Sequence, residues 1–364
     1  MSSHQSVRNN IGLPMRNCFL LFGLFLVLSC ARIDEQDFFR FNLVDSESPS
    51  EIESVEIDTV INTGAKLVDC AIAYPYLFSN ESGDNLFSVT DISTGSYLGQ
   101  WCRCGRGPEE PLYVLPISEL YHKGNDLFAD LFSYHGGKLL VWNVSESLRS
   151  DTDVYEGVVN LEYSEQVVPF RSLHRICDSL VLVCDTRLSP SVDEMIAAPS
   201  YDLYNTHSGK FVSGYNLFNM IVKKTSNPRF TSKSFLSISD CMKPDRTKIA
   251  FAMRYMPVIN ILDLKSGEVK GIRLKGAKGF TTRKQVCHFV DISADDDYIY
   301  ALYYGKERVD GSFPEILHVF DWGGNWVSTK KLSHHASALQ VSSGRLYLYN
   351  FGSDALMSIC LDKL

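Results

Sequence analysis

The chain has 364 residues, 45% of them hydrophobic and 12% aromatic, which excludes a disordered protein and supplies a core for one large closed domain or two ordinary ones. Its formal net charge is −8, and Arg8 and Arg16 are the only charged residues among the first thirty, so 33 basic residues stand against 43 acidic ones in the remainder. A body of that sign repels phosphate backbones, which makes nucleic acid a poor partner.

In chain order, the first element is the apolar run Phe19 to Leu28, ten residues long and preceded by Arg16. A bilayer needs roughly 20 apolar residues to be crossed, so the run has the layout of a signal peptide. Residues 1 to 14 form a long polar lead, and Met15 followed by Arg16 reads as the true start. The end of the run, Leu28-Ser29-Cys30, resembles the lipobox of bacterial lipoproteins. That resemblance implies cleavage before Cys30, acylation of Cys30 and residence in the cell envelope, at the outer membrane; an ordinary signal peptide with an incidental cysteine is the other reading. Acyl chains contribute about 0.8 kcal/mol per buried methylene, enough for several together to hold a protein at a membrane without a spanning helix. Asp34 and Glu35 loosely resemble the acidic surface-export tag of Bacteroidetes lipoproteins. Residues 31 to 50 are rich in Asp, Glu and Ser and are expected to form a flexible tether, leaving 51 to 364 as a single domain.

Internal repeats fix the expected fold. Five strand-like runs end in Asp or Asn, at Asp91, Asn143, Asn205, Asp263 and Asp321, separated by 52, 62, 58 and 58 residues. Four residues further on stand Gly95, Gly209, Gly267 and Asn325; the second copy has Ser147, so its turn must differ. Asp and Asn side chains accept hydrogen bonds from the backbone two residues on, and the closing position wants the positive φ that Gly takes freely and Asn tolerates. Each repeat is long enough for four short strands, which predicts the blades of a β-propeller. The clearest blade runs from Phe289 to Leu332, with turns at Ala294 to Asp297 and at Gly323-Gly324. The one before it runs from Leu236 to Leu274. Its segment Met242 to Phe251, with Lys243-Pro244-Asp245-Arg246 as the turn, resembles the strand-turn-strand repeat of TolB-type propellers.

The chain end carries three strands, Ala338 to Val341, Arg345 to Asn350 and Ala355 to Leu361, with no fourth. Ile52 to Asp58 alternates apolar and polar as a lone strand does. If that strand completes the last blade, the two chain ends fasten the ring and no blade edge is left open. The count is then six blades, with seven as the alternative because Asp151 to Pro169 carries no assigned strands. No window after residue 30 shows sustained helical spacing.

The segment Gly105-Arg106-Gly107-Pro108-Glu109-Glu110 is not a phosphate loop, since no Gly-Lys-Ser/Thr follows. It resembles a Gly-x-Gly-Pro-x-Glu run of six-bladed propeller lipoproteins of Bacteroidetes, described as TolB-like or NHL-like. Arg106 either pairs with Glu109 or Glu110 or points to the channel mouth. Loops between second and third strands, and loops between blades, lie on one face of a propeller, where ligands usually bind. That rule makes Arg106, Arg187, Arg254, Tyr255, Tyr304, Lys306 and His335 the candidate ligand-binding residues; cation and aromatic neighbours such as Arg254-Tyr255 suit sugar rings, carboxylates or a protein partner.

His334 and His335 face opposite ways on a strand and cannot share a metal. Cys102 and Cys104 are spaced too closely for a zinc knuckle, and the other mature cysteines mostly sit in apolar runs and read as small buried hydrophobes, with some bridge open to them in an oxidising compartment. Asp295-Asp296-Asp297 lacks the spaced ligands of a calcium loop. No catalytic fingerprint is present, so no metal and no cofactor are expected. The leading expectation is a non-catalytic binding or scaffolding module for a glycan, peptide or protein; the alternative is a secreted hydrolase or lyase with its site at the channel mouth.

Overall fold

A computed structural model describes residues 35–64, 66–80, 83–105, 107, 109–111, 117, 119–133, 137–162, 168–187, 198–219, 237–279, 286–307 and 312–364. Cys30 and Arg106 lie outside them. Three strands open the described chain, β1 (Leu43–Ser46), β2 (Ile52–Val55) and β3 (Thr59–Asn62). Six sheets follow, each a meander of antiparallel strands with the first innermost. They are β4 (Ala71–Ala73) to β7 (Ser96–Arg103), β8 (Glu119–Lys123) to β11 (Tyr155–Asn160), β12 (Val168–Cys177) to β15 (Phe211–Tyr215), β16 (Ile238–Met242) to β19 (Val269–Leu274), β20 (Val286–Ala294) to β23 (Trp326–Leu332), and β24 (Ala338–Ser342) to β26 (Ala355–Cys360). The architecture is a six-bladed propeller. The stretch that left seven open holds β11, the outer strand of the second blade.

The repeated turns work as the residue pattern requires. Asp91 accepts from Ser93 N at 2.8 Å while Gly95 N donates to its carbonyl at 2.7 Å. Asn205 and Asp263 do the same with Gly209 and Gly267, at 2.8 and 2.9 Å. The fifth copy differs from expectation: Gly324, not Asn325, takes the positive φ of 82°, and its N–H donates to the Asp321 carbonyl at 2.9 Å. The glycine one place earlier captures the turn, and the Asn325 side chain instead donates to Asp321 Oδ2 at 2.7 Å. At the second copy a short helix, α1 (Val144–Ser150), replaces the turn. Asn143 caps it by accepting from Glu146 N at 2.9 Å, and Asp151 ends it in the left-handed conformation. A cap residue followed three places later by Glu is a helix-start signal, too short here to show in a periodicity window.

The ring closes through the N-terminal segment, but not with the expected strand. β3 pairs antiparallel with β26, Thr59 opposite Ser358 and Asn62 opposite Ala355. Ile52–Val55 runs parallel to β23 as a fifth strand of the fifth blade, and Leu43–Ser46 runs parallel to β19 as a fifth strand of the fourth. Alternation marks a strand but not its partner, and parallel edge pairing needs no turn to betray it. Asp58 secures the joint: it accepts from Cys360 N at 2.7 Å and meets Arg345 at 3.5 Å and Lys363.

From Glu35 onward the segment expected as tether is therefore docked. A 3-10 turn at Glu35–Phe38 leads into Phe39, which bridges to Phe218. Phe38 and Phe39 are 1% and 2% exposed, and each such burial contributes about 2 kcal/mol. Together with Phe218, Phe251 and Tyr201 they fill the wedge between the third and fourth blades, with ring centroids 5.5 to 5.9 Å apart from Phe39 inward. The other wedges hold aliphatic and aromatic clusters shared by neighbouring blades, such as Phe78, Phe87 and Trp142 between the first and second.

Candidate functional site

The innermost strands are stitched to each other around the axis by side chains that accept from the next strand's backbone. Asp291 Oδ2 accepts from Leu339 N, Ser293 Oγ from Val341 N, and Gln340 Oε1 from Ile72 N, at 2.8 to 2.9 Å. On the other half of the ring the stitching is ionic. Glu119 accepts from Arg175 N at 2.7 Å and pairs with Arg246 from the turn between β16 and β17 (Lys248–Met253). Arg175 makes a two-pronged pair with Asp130 at 2.7 and 2.8 Å, and Asp240 gathers Ser172, His174 and Tyr201. These groups satisfy one another, so they hold blades together rather than await a ligand.

Antiparallel meanders put the loops between second and third strands at the same end as the loops between blades. A cavity of about 340 Å³ opens at that end, beside the fourth, fifth, sixth and first blades. Arg254 and Tyr304, both expected site residues, line it together. Arg254 follows β17, and its backbone is pinned on both sides: N donates to Ser237 O at 2.8 Å and O accepts from His288 N at 2.7 Å. Its Nη2 donates to Val290 O at 3.3 Å. Tyr304 Oη shares a short hydrogen bond with Ser312 Oγ, which ties β21 (Tyr298–Glu307) to the loop carrying Phe313 and Pro314.

The remaining candidates sit elsewhere. Lys306 is exposed, its Nζ 5.8 Å from the Tyr304 ring centre. Tyr255 is half-buried in the Arg254 loop but does not line the cavity. His335 is exposed in the loop before β24, its carbonyl accepting from Asn350 Nδ2 at 3.0 Å. Arg187 ends β13 (Leu180–Arg187), in the third blade, away from the blades that form the cavity.

The sequence reading missed Asp69, Asp291 and Phe351, which also line the cavity. Asp291 is half-buried, and desolvation pushes its carboxyl up to about 6, with Ser239 Oγ at 2.9 Å, two backbone N–H groups and the nearby Arg254 all opposing. Burial raises Asp69 as well. Burial likewise lifts the Cys70 thiol, in the same wall, to about 11, so it is protonated and no nucleophile at neutral pH. Phe351 is 51% exposed at the rim and anchored by its N–H to Ser337 Oγ at 2.9 Å. A polar Asp291 inside the apolar run Phe289 to Ile292 is the one signal that marked it: on an innermost strand such a position faces the axis.

No family model and no curated protein matches the sequence. Among solved structures, the chain is similar to a DUF4221-family member from Bacteroides vulgatus, with a TM-score of 0.55 and 11% identity over 90% of this chain and 98% of that one. The fold is shared. Lower scores relate it to a protein of Bacteroides fragilis presumed to be exported, at 0.49 with 9% identity over 88% and 99% of the two chains. They also relate it to the calcium-binding regucalcin of Agrobacterium tumefaciens, at 0.48 with 10% identity over 85% and 95%. At such identities the likeness speaks for the propeller alone.

Proposed function

We propose that this chain is a non-catalytic binding module of the cell envelope, made in Bacteroidetes fashion with a signal peptide over residues 1–30 and a lipid on Cys30, and that its cavity-bearing face receives a glycan, peptide or protein. The cavity is the observation that carries the reading: it lies where propeller ligands bind, and it combines one cation with hydroxyls and an exposed aromatic rim. Such a mixture of an apolar wall with a few converging polar groups is the ordinary make-up of a ligand site.

Against catalysis stands Asp291, whose carboxylate oxygens are already engaged by Ser239, Ile292 N and Leu339 N. The presence of two acids, Asp69 and Asp291, in one cavity keeps a hydrolase as the second reading, because paired carboxyls are the apparatus of glycoside cleavage. The test is the detergent-solubilised full chain on glycan and peptide arrays, with calorimetry on each hit. We expect hits that survive unmodified and that weaken on Arg254→Ala. Appearance of new reducing ends would establish the hydrolase, and silence on every array would shift the role to assembly with other envelope proteins.

A further inference from the structure

The charge pattern of the cavity narrows its ligand; the inference rests on the reading of this mouth as a binding face. Arg254 carries five N–H donors, and among the described residues its side chain makes one hydrogen bond, to Val290 O. Among the described residues no carboxylate stands within ion-pair distance of it; the other arginines of the fourth blade, Arg246 and Arg273, both have such partners. Asp291 accepts instead from Ser239, Ile292 N and Leu339 N, and it makes no hydrogen bond or ion pair with Arg254. A half-buried guanidinium with donors to spare, inside a cavity, is a receptor for a planar anion.

The acids set how much negative charge fits. Asp69 and Asp291 line the same space and oppose every negative charge brought in, so a phosphate with nearly two charges is opposed about twice as strongly as a single carboxylate. Size is the next guide: about 340 Å³ lies at the small end of ligand pockets, which suits one sugar ring. The wall supplies the rest, with Phe313, Pro314 and Phe351 offering apolar faces and Asp69 offering an acceptor for hydroxyls.

We propose that this mouth binds one hydroxylated ring bearing a single carboxylate, of the uronic-acid class, with the carboxylate on Arg254 and the ring against Phe351. The ring is either a free sugar acid or the terminal unit of an acidic polysaccharide. Calorimetry on the detergent-solubilised full chain, with D-glucuronate, D-glucose, glucose 6-phosphate and a galacturonate trimer, tests it. Glucuronate is expected to bind about tenfold or more tightly than glucose, the order contributed by charge-assisted hydrogen bonds. Arg254→Gln removes that preference, Arg254→Lys keeps part of it, and Phe351→Ala weakens both sugars alike. A trimer tighter than the monomer assigns the polysaccharide end, and equal affinity assigns the free acid. Equal binding of glucose and glucuronate, preference for the phosphate, or unchanged selectivity in both Arg254 variants overturns the proposal while leaving the binding face in place. Absence of any sugar binding overturns it too, and array hits whose affinity ignores Arg254 and Phe351 remove the face itself.

Discussion

His288 and His318 are buried in the fifth blade, 0% and 4% exposed, against Tyr303 and Trp326. Each has one ring nitrogen engaged, by Tyr303 Oη at 3.3 Å and Thr329 Oγ1 at 3.1 Å, and His318 Nε2 has no partner among the described residues. Burial pushes them down to about 4 and about 3, so both are neutral in the fold. Their contribution to stability is whole above the ordinary histidine value near 6.5 and is lost progressively as pH falls from there through about 4 and about 3, because the unfolded chain then takes up protons that the folded chain refuses. Asp291 works the other way, its contribution present below about 3.8 and lost as pH rises toward 6. Asp69 and Asp130 are raised by burial in the same direction as Asp291, so the histidine contribution is isolated by comparison: between pH 7 and pH 5 His318→Phe is expected to lose less melting temperature than the parent chain. Thermal melts across that range check it; an identical slope in the variant would show that protons are taken up elsewhere. None of this is legible in a sequence, where each histidine stands alone in a different strand.

At the scale of elements, turn chemistry was readable because it is local: Asp91, Asn205 and Asp263 announce their hairpins within five residues. Partner choice was not, since β2 and β3 are adjacent short strands of similar character and only packing decides which one meets β26. The aromatic anchor Phe38-Phe39 was hidden by the acidic residues around it. The two kinds of N-terminal strand should differ in consequence. Ile61→Pro removes a ladder donor from the strand that closes the ring, an N–H that points with that of Thr63 toward β26, and we expect it to lower the melting temperature and speed amide exchange in β26. Val44→Pro disturbs only an added outer strand, with a smaller loss confined to β19. Measured side by side, equal effects would mean that β3 is no more a closure than β1.

Over the whole molecule the N-terminal segment divides the rim. It covers the outer edges of the fourth and fifth blades and supplies that of the sixth, while β7, β11 and β15 keep open edges with Tyr97, Phe211 and Val212 47% to 57% exposed. Open edges are where assembly with another chain would begin, and the cavity-bearing mouth is where a ligand would. The repeat made the ring and its loop face legible; which loops cooperate was not, because Arg254, Asp291, Tyr304 and Phe351 come from three blades and no spacing links them. Amide exchange of the full chain with and without a confirmed ligand separates the two surfaces most directly. Protection is expected in the loop after β17, in the stretch from Ser312 to Pro314 and around Phe351. Protection confined to β7, β11 and β15, or to the turns at the opposite end such as Lys243 to Thr247, would contradict the account.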